Sequence, residues 1–208
     1  MCGRTGRSGR RRARHRRDQV IGVLVSGEGT NLQALLKAGL PVAAVASNNT
    51  KARALDRAAK AGIEAAAFPA IEFDSREHRD EELADWLTER GVELVVLAGY
   101  MQLLTKPFLE RFPGRILNVH PSLLPAFPGA HAVEDALAYG AKVTGATVHF
   151  VDEGIDTGPI VLQEAVEVLE DDTPETLHTR IQQVEHRLLP TAVRLFLEGS
   201  LSSPVASA

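Results

Sequence analysis

The chain has 208 residues, 44% of them hydrophobic, with 23 basic and 27 acidic residues and a formal charge of −4. That is enough apolar chain for one domain with its own core, and no apolar run approaches the roughly 20 residues a membrane-spanning helix needs. Cys2 is the only cysteine, so an internal disulfide is excluded, which fits a reducing, cytoplasmic setting.

Charge is uneven from the start. Arg4, Arg7, Arg10, Arg11, Arg12, Arg14, Arg16 and Arg17 fall in the first 17 residues without an acid, leaving −12 on the remainder. Residues 1–19 are expected to form a basic, disordered arm, because so polar a segment has little to bury. Arg16-Arg17 fits a twin-arginine signal only superficially. The apolar run behind it, 20–25, is too short for a signal core and reads as a first strand.

From there the pattern alternates. A helix is expected over 31–38, a strand over 42–46, an alanine-rich helix over 52–60 closed by Gly62, and a third strand over 63–68. Leu83, Trp86 and Leu87 give helical spacing to 76–90, and 92–98 is a continuous apolar strand of the kind buried on both faces. Strands alternating with helices mean a parallel sheet with crossovers. After 116–118 the rhythm changes to a helix over 133–139, two strand-like stretches over 142–151 and 159–168, and a long helix over 174–198. Thr173 should cap that last helix, with Pro174 in its first turn. The tail from Ser200 is expected to fray.

Three stretches carry chemistry. In Leu117-Asn118-Val119-His120-Pro121-Ser122-Leu123-Leu124-Pro125, Asn118 and His120 stand two apart where a strand ends, so they share a face at the sheet rim. Pro121 and Pro125 predict a stiff, extended loop beyond. Ser26-Gly27-Glu28-Gly29-Thr30-Asn31 is a glycine-rich turn opening a helix, which suits a phosphate. It is not a dinucleotide fingerprint, since Leu32 holds the third glycine's place and Ser47-Asn48-Asn49 stand where an acid belongs; a Walker lysine is missing too. The third stretch is the acidic loop Asp152-Glu153-Gly154-Ile155-Asp156-Thr157-Gly158-Pro159. Its carboxylates read first as turn residues, but if the loop folds over the sheet edge Asp156 can orient His120. The histidines show no short metal-ligand spacing, so no metal is expected.

With Val95-Val96-Leu97-Ala98-Gly99-Tyr100-Met101 and the run Asp156-Thr157-Gly158-Pro159-Ile160, these segments stand in the order that resembles the phosphoribosylglycinamide formyltransferases, over residues 20–199. The resemblance implies an α/β, Rossmann-like formyltransferase fold, a mostly parallel sheet flanked by helices with an antiparallel C-terminal part. It implies transfer of a formyl group from 10-formyltetrahydrofolate, a folate co-substrate, to the amine of glycinamide ribonucleotide. Asn118, His120 and Asp156 become the catalytic trio. Gly29, Thr30 and Asn31 become the phosphate cradle, and Glu185 a ribose or glycinamide contact. Arg76, Met101, Gln102, Leu103 and Leu104, with Asn118, Asp152, Glu153, Gly154 and Ile155, become the folate pocket. Two residues depart from the pattern: Gln102 stands where some relatives have arginine, and Glu28 puts an acid inside an anion loop, so its carboxylate should point to solvent.

Three rivals remain at the level of sequence. A formyltetrahydrofolate deformylase uses a similar trio but adds a regulatory domain ahead, where only 19 residues precede Val20. A methionyl-tRNA formyltransferase adds a nucleic-acid-binding domain beyond the sheet. A nucleic-acid-binding protein would use the basic arm, and its binding would depend steeply on salt.

Overall fold

The structure, a computed structural model, describes residues 20–201. The expected arm over 1–19 and the tail beyond 201 lie outside the described residues. Strands β1 (Val20–Val25), β2 (Val42–Ser47), β3 (Glu64–Ala67), β4 (Val92–Leu97), β5 (Ile116–His120), β6 (Val143–Phe150) and β7 (Ile160–Glu167) form one sheet in the order β3-β2-β1-β4-β5-β6-β7. The first five run parallel, and β6 and β7 add antiparallel at one edge.

The apolar runs that announced β1 and β4 are buried on both faces because helices cover both. Ile21, Val23 and Val25 point to one side, where α1 (Thr30–Lys37), α2 (Arg53–Lys60), α5 (Ala132–Tyr139) and α6 (Pro174–Leu197) pack. Leu24 points to the other, with Val95 and Leu97, against α3 (Arg76–Glu89) and α4 (Lys106–Arg111). This period-two division puts two hydrophobic layers around one sheet. At the start of α6, the Thr173 hydroxyl accepts from the Thr176 amide and the Thr176 hydroxyl from the Thr173 amide, as the cap reading requires. Beyond α6, the Ser200 amide donates to Leu195 O and Leu201 packs on the core.

Two features differ from the sequence expectation. Helix α4 has no counterpart there, because six residues beginning Lys106-Pro107 are too few to display a period. The loop after β5 is folded back, not extended. Ala126 N–H donates to Leu123 O, and the Ser122 hydroxyl donates to the carbonyls of Ala126 and Phe127, so hydrogen bonds override the stiffness of the prolines.

The strand order reverses direction between β1 and β4. In open α/β sheets the crevice at such a point, beyond the carboxyl ends of the strands, is where ligands bind. Ser26 stitches that edge together: its hydroxyl donates to Asn48 Oδ1 at 2.6 Å and accepts from the Met101 amide at 2.7 Å.

Candidate active site

Asn118 and His120 leave the same face of β5, as the two-residue spacing predicts, and meet one carboxylate. Asp156 Oδ2 lies 3.3 Å from His120 Nδ1 and accepts from the Gly129 amide at 2.8 Å. Its Oδ1 lies 3.5 Å from Asn118 Nδ2 and 3.5 Å from His149 Nε2. The acidic loop therefore does fold over the sheet edge. Asp156 reaches this position with φ of 54°, and Phe127 on the facing loop has φ of 53°; non-glycine residues with positive φ are uncommon and gather at working sites.

The hydrogen-bond partners fix the roles of the ring nitrogens. His149 Nδ1 lies 2.8 Å from the Phe150 carbonyl, which can only accept, so Nδ1 carries hydrogen. Nε2 of the neutral ring is then an acceptor for Asn118 Nδ2 at 3.1 Å, and this turns the amide's NH₂ toward the carboxylate. The second Asn118 N–H has only the 3.5 Å contact with Asp156, too long for a strong bond. His120 Nε2 faces the Phe127 carbonyl at 2.8 Å and so donates to it. Its Nδ1 lies within ion-pair distance of Asp156 Oδ2, a contact that attracts when the ring carries its second hydrogen.

Burial is the largest influence on the Asp156 carboxyl and pushes it up. With the imidazoles protonated, hydrogen bonds from His149 and the Gly129 amide, and the charges of His120 and His149, outweigh it together and hold the group below its ordinary value. The carboxylate stays ionised while only 13% exposed.

Two hollows with shared lining residues open beside this cluster, each of about 360 Å³, within the usual size of a small-molecule site. Both are lined by Tyr100, Gln102, Leu103, Asn118, Ile155 and Asp156. One extends over Arg76, Leu104, Asp152, Glu153 and Gly154, and the other over Met101, His120 and Gly129. Met101 is 66% and Leu103 54% exposed, so apolar surface is offered to a ligand rather than used in the core. Arg76 donates to the Leu103 carbonyl at 3.0 Å. Asp152 accepts from the Gly154 amide and the Thr157 hydroxyl, which tightens the acidic loop. A side chain at Gly154 would meet Thr157 Oγ1 at 2.0 Å. Burial raises the Tyr100 phenol to about 12, so it stays protonated, and its hydroxyl has no hydrogen-bond partner among the described residues.

At the other end of the crevice, Gly29 precedes α1 with φ of 71°, and a Cβ there would lie 2.6 Å from that of Ala54. No side chain caps α1, so first-turn N–H groups are left for an anion or solvent. Thr30 and Asn31 open the helix. The Asn31 side chain turns inward and donates to Glu185 Oε2 at 2.8 Å, while its Oδ1 is buried without a partner. Glu28 does point outward, 3.1 Å from Arg53 on α2, and Arg57 Nε holds its carbonyl at 2.7 Å.

Residues 19–193 match the family model described as formyl transferase. The chain is 49% identical over 175 residues to the phosphoribosylglycinamide formyltransferase of Mycobacterium tuberculosis, covering 82% of this chain and 81% of that protein. The chain belongs to the formyl transferase family. It also resembles the crystal structure of glycinamide ribonucleotide transformylase 1 from Symbiobacterium toebii, with a TM-score of 0.86, 53% identity and coverage of 88% of this chain and 90% of that one. The trifunctional purine biosynthetic protein adenosine-3 of Drosophila pseudoobscura pseudoobscura is 45% identical over 189 residues. This chain spans only 14% of that relative's length.

The trio anticipated from sequence converges, and the residues anticipated for the folate pocket line the hollows beside it. His149 was not anticipated. Its alternation along β6 was legible, but its partner Asn118 across β5 emerges only from the antiparallel register. His131 stands just before α5 and is exposed.

Burial pushes the Glu185 carboxyl up, against the opposing bond from Asn31. Its contribution to stability is therefore fully present below the ordinary value of 4.5 and lost as the pH rises through the raised one. Glu185→Gln is expected to raise the Tm by roughly 2–4 °C at pH 8, with the gain vanishing toward pH 4.5. Thermal melts across that range check it, and an equal gain at every pH would contradict burial as the cause.

Proposed function

We propose that this chain is a folate-dependent phosphoribosylglycinamide formyltransferase, moving a formyl group from 10-formyltetrahydrofolate to the amine of glycinamide ribonucleotide in purine synthesis. The catalytic unit of this reading is residues 20–199, and its setting is the cytoplasm. The observation that carries it is the shared Asp156 carboxylate, with Asn118, His120 and His149 around it, between an apolar hollow and the uncapped start of α1.

The residues present fit a reduced folate. Leu103, Leu104 and Ile155 offer apolar walls to a flat ring, while main-chain groups of the 101–105 loop and the unpartnered Tyr100 hydroxyl supply polar edges. The phosphate fits the N–H groups opened by Gly29, Thr30 and Asn31, and the orphaned Asn31 Oδ1 beside Glu185 suits a hydroxyl or amine donor. When bound, the donor supplies an activated formyl carbon.

The chain's own groups do the rest. Asn118 has an N–H free to donate where negative charge gathers on the carbonyl oxygen, and one such donor is typically worth ~10²–10³ in rate. His149 fixes which way that amide points. His120, held between Phe127 O and Asp156, brings positive charge to the wall when its ring is protonated, and both ring nitrogens already face acceptors. Asp156 balances that charge. As the amine's new bond to the formyl carbon forms and the bond from that carbon to the folate N10 breaks, the amine loses a proton and N10 gains one. A carboxylate held below its ordinary range is a weak base, so Asp156 passes that proton on to the leaving nitrogen rather than keeping it.

Purified protein should release tetrahydrofolate from 10-formyltetrahydrofolate only when glycinamide ribonucleotide is present. Equal release in its absence would make the chain a deformylase, with water as acceptor. No release in either case would remove formyl chemistry from the site.

A further inference from the structure

Helix α3 carries an ion pair that the chemistry above does not use. Arg79 and Asp80 are both 0% exposed, although charged side chains are rarely sealed from water. Arg79 Nε and a terminal guanidinium nitrogen donate to Asp80 Oδ1 at 3.0 and 2.7 Å. The other Asp80 oxygen leaves the helix and accepts from the Thr105 amide at 2.7 Å. The remaining terminal nitrogen of Arg79 lies 3.4 Å from Gln102 Oε1. With Arg76 donating to the Leu103 carbonyl, residues 76, 79 and 80 reach the same loop. Their i, i+3, i+4 spacing puts them on one helix face, so the 101–105 loop is clamped at Leu103, Gln102 and Thr105 from a single rigid element.

That loop supplies Gln102, Leu103 and Leu104 to the hollow assigned to the folate. We infer that the buried Arg79–Asp80 pair is a positioning device for the formyl-donor pocket, holding the 101–105 loop in its ligand-binding shape. The inference rests on the folate reading of that hollow. It also accounts for Gln102: an arginine there would set a second guanidinium against Arg79, whereas the amide oxygen accepts from it. A buried ion pair is often replaceable by apolar residues without loss of stability, so what this pair adds is the placing of the loop it bonds.

The same fact provides the test. The double variant Arg79→Met/Asp80→Leu leaves no orphaned buried charge, so it should fold, yet it removes two of the three clamps. The expected result is a rise of about tenfold in KM for 10-formyltetrahydrofolate, with kcat and the KM for glycinamide ribonucleotide nearly unchanged. A second measurement needs no variant. By linkage, a ligand that binds the clamped loop must strengthen the clamp, so tetrahydrofolate should slow hydrogen exchange at the wild-type Thr105 amide. Tetrahydrofolate binding to wild type is measured first, by calorimetry. If wild type binds it while the double variant has unchanged kinetics, or while Thr105 exchange is unaltered, the inference is overturned and the folate reading survives. If wild type binds none, both fall.

Discussion

Asp156→Asn is expected to lower kcat by about 10²–10⁴ while leaving the fold and both KM values close to wild type. The substitution keeps the shape of the side chain, and an amide oxygen can still accept from Gly129 N–H. What it removes is the negative charge that His120 and His149 face at 3.3 and 3.5 Å. An imidazolium at His120 then has no counter-ion, and the second Asn118 N–H has no acceptor. Steady-state kinetics beside a thermal melt check this. A loss below about tenfold, in protein of normal Tm, would take Asp156 out of the reaction.

His120→Ala should cost a comparable factor, about 10²–10³ in kcat, by removing from the wall of the hollow the imidazole and the charge it carries when protonated. The turn beneath the ring is expected to survive, because the Ser122 hydroxyl also bonds the carbonyls of Ala126 and Phe127. Tm should therefore change far less than turnover. Near-normal turnover would mean that the ring only supports the 121–131 loop. A parallel fall in Tm and kcat would mean the same.

How much of this was legible depended on the range of the forces involved. The apolar runs of β1 and β4, the glycines that end helices and the Thr173 cap are local signals, and the elements they announce stand within a residue or two of their expected ends. Asn118 and His120 were readable as a pair because a strand's period is two. That Asp156 joins them is a tertiary fact, set by the Gly129 amide and by a backbone bent to positive φ. His149 was hidden for a related reason: its role depends on the register of β6 against β5, which no pattern within β6 specifies. Arg79 and Asp80 were hidden more deeply. Only Leu83, Trp86 and Leu87 declared the inner face of α3, and a charged pair ahead of them reads as solvated surface until the loop that covers it is in place. The folded-back loop after β5 likewise comes from bonds made by Ser122, which outrank the local preference of its prolines.

The central claim is that one carboxylate gathers Asn118, His120 and His149 into a single working unit. The kcat values of Asp156→Asn, His120→Ala and the double variant, measured with glycinamide ribonucleotide and 10-formyltetrahydrofolate at saturation, test it most directly. Groups that act as a unit lose their effect once, so the double variant should be no slower than the slower single variant within about a factor of three. Losses that multiply, each substitution costing its full factor in the presence of the other, would mean that His120 and Asp156 act independently and would contradict the account.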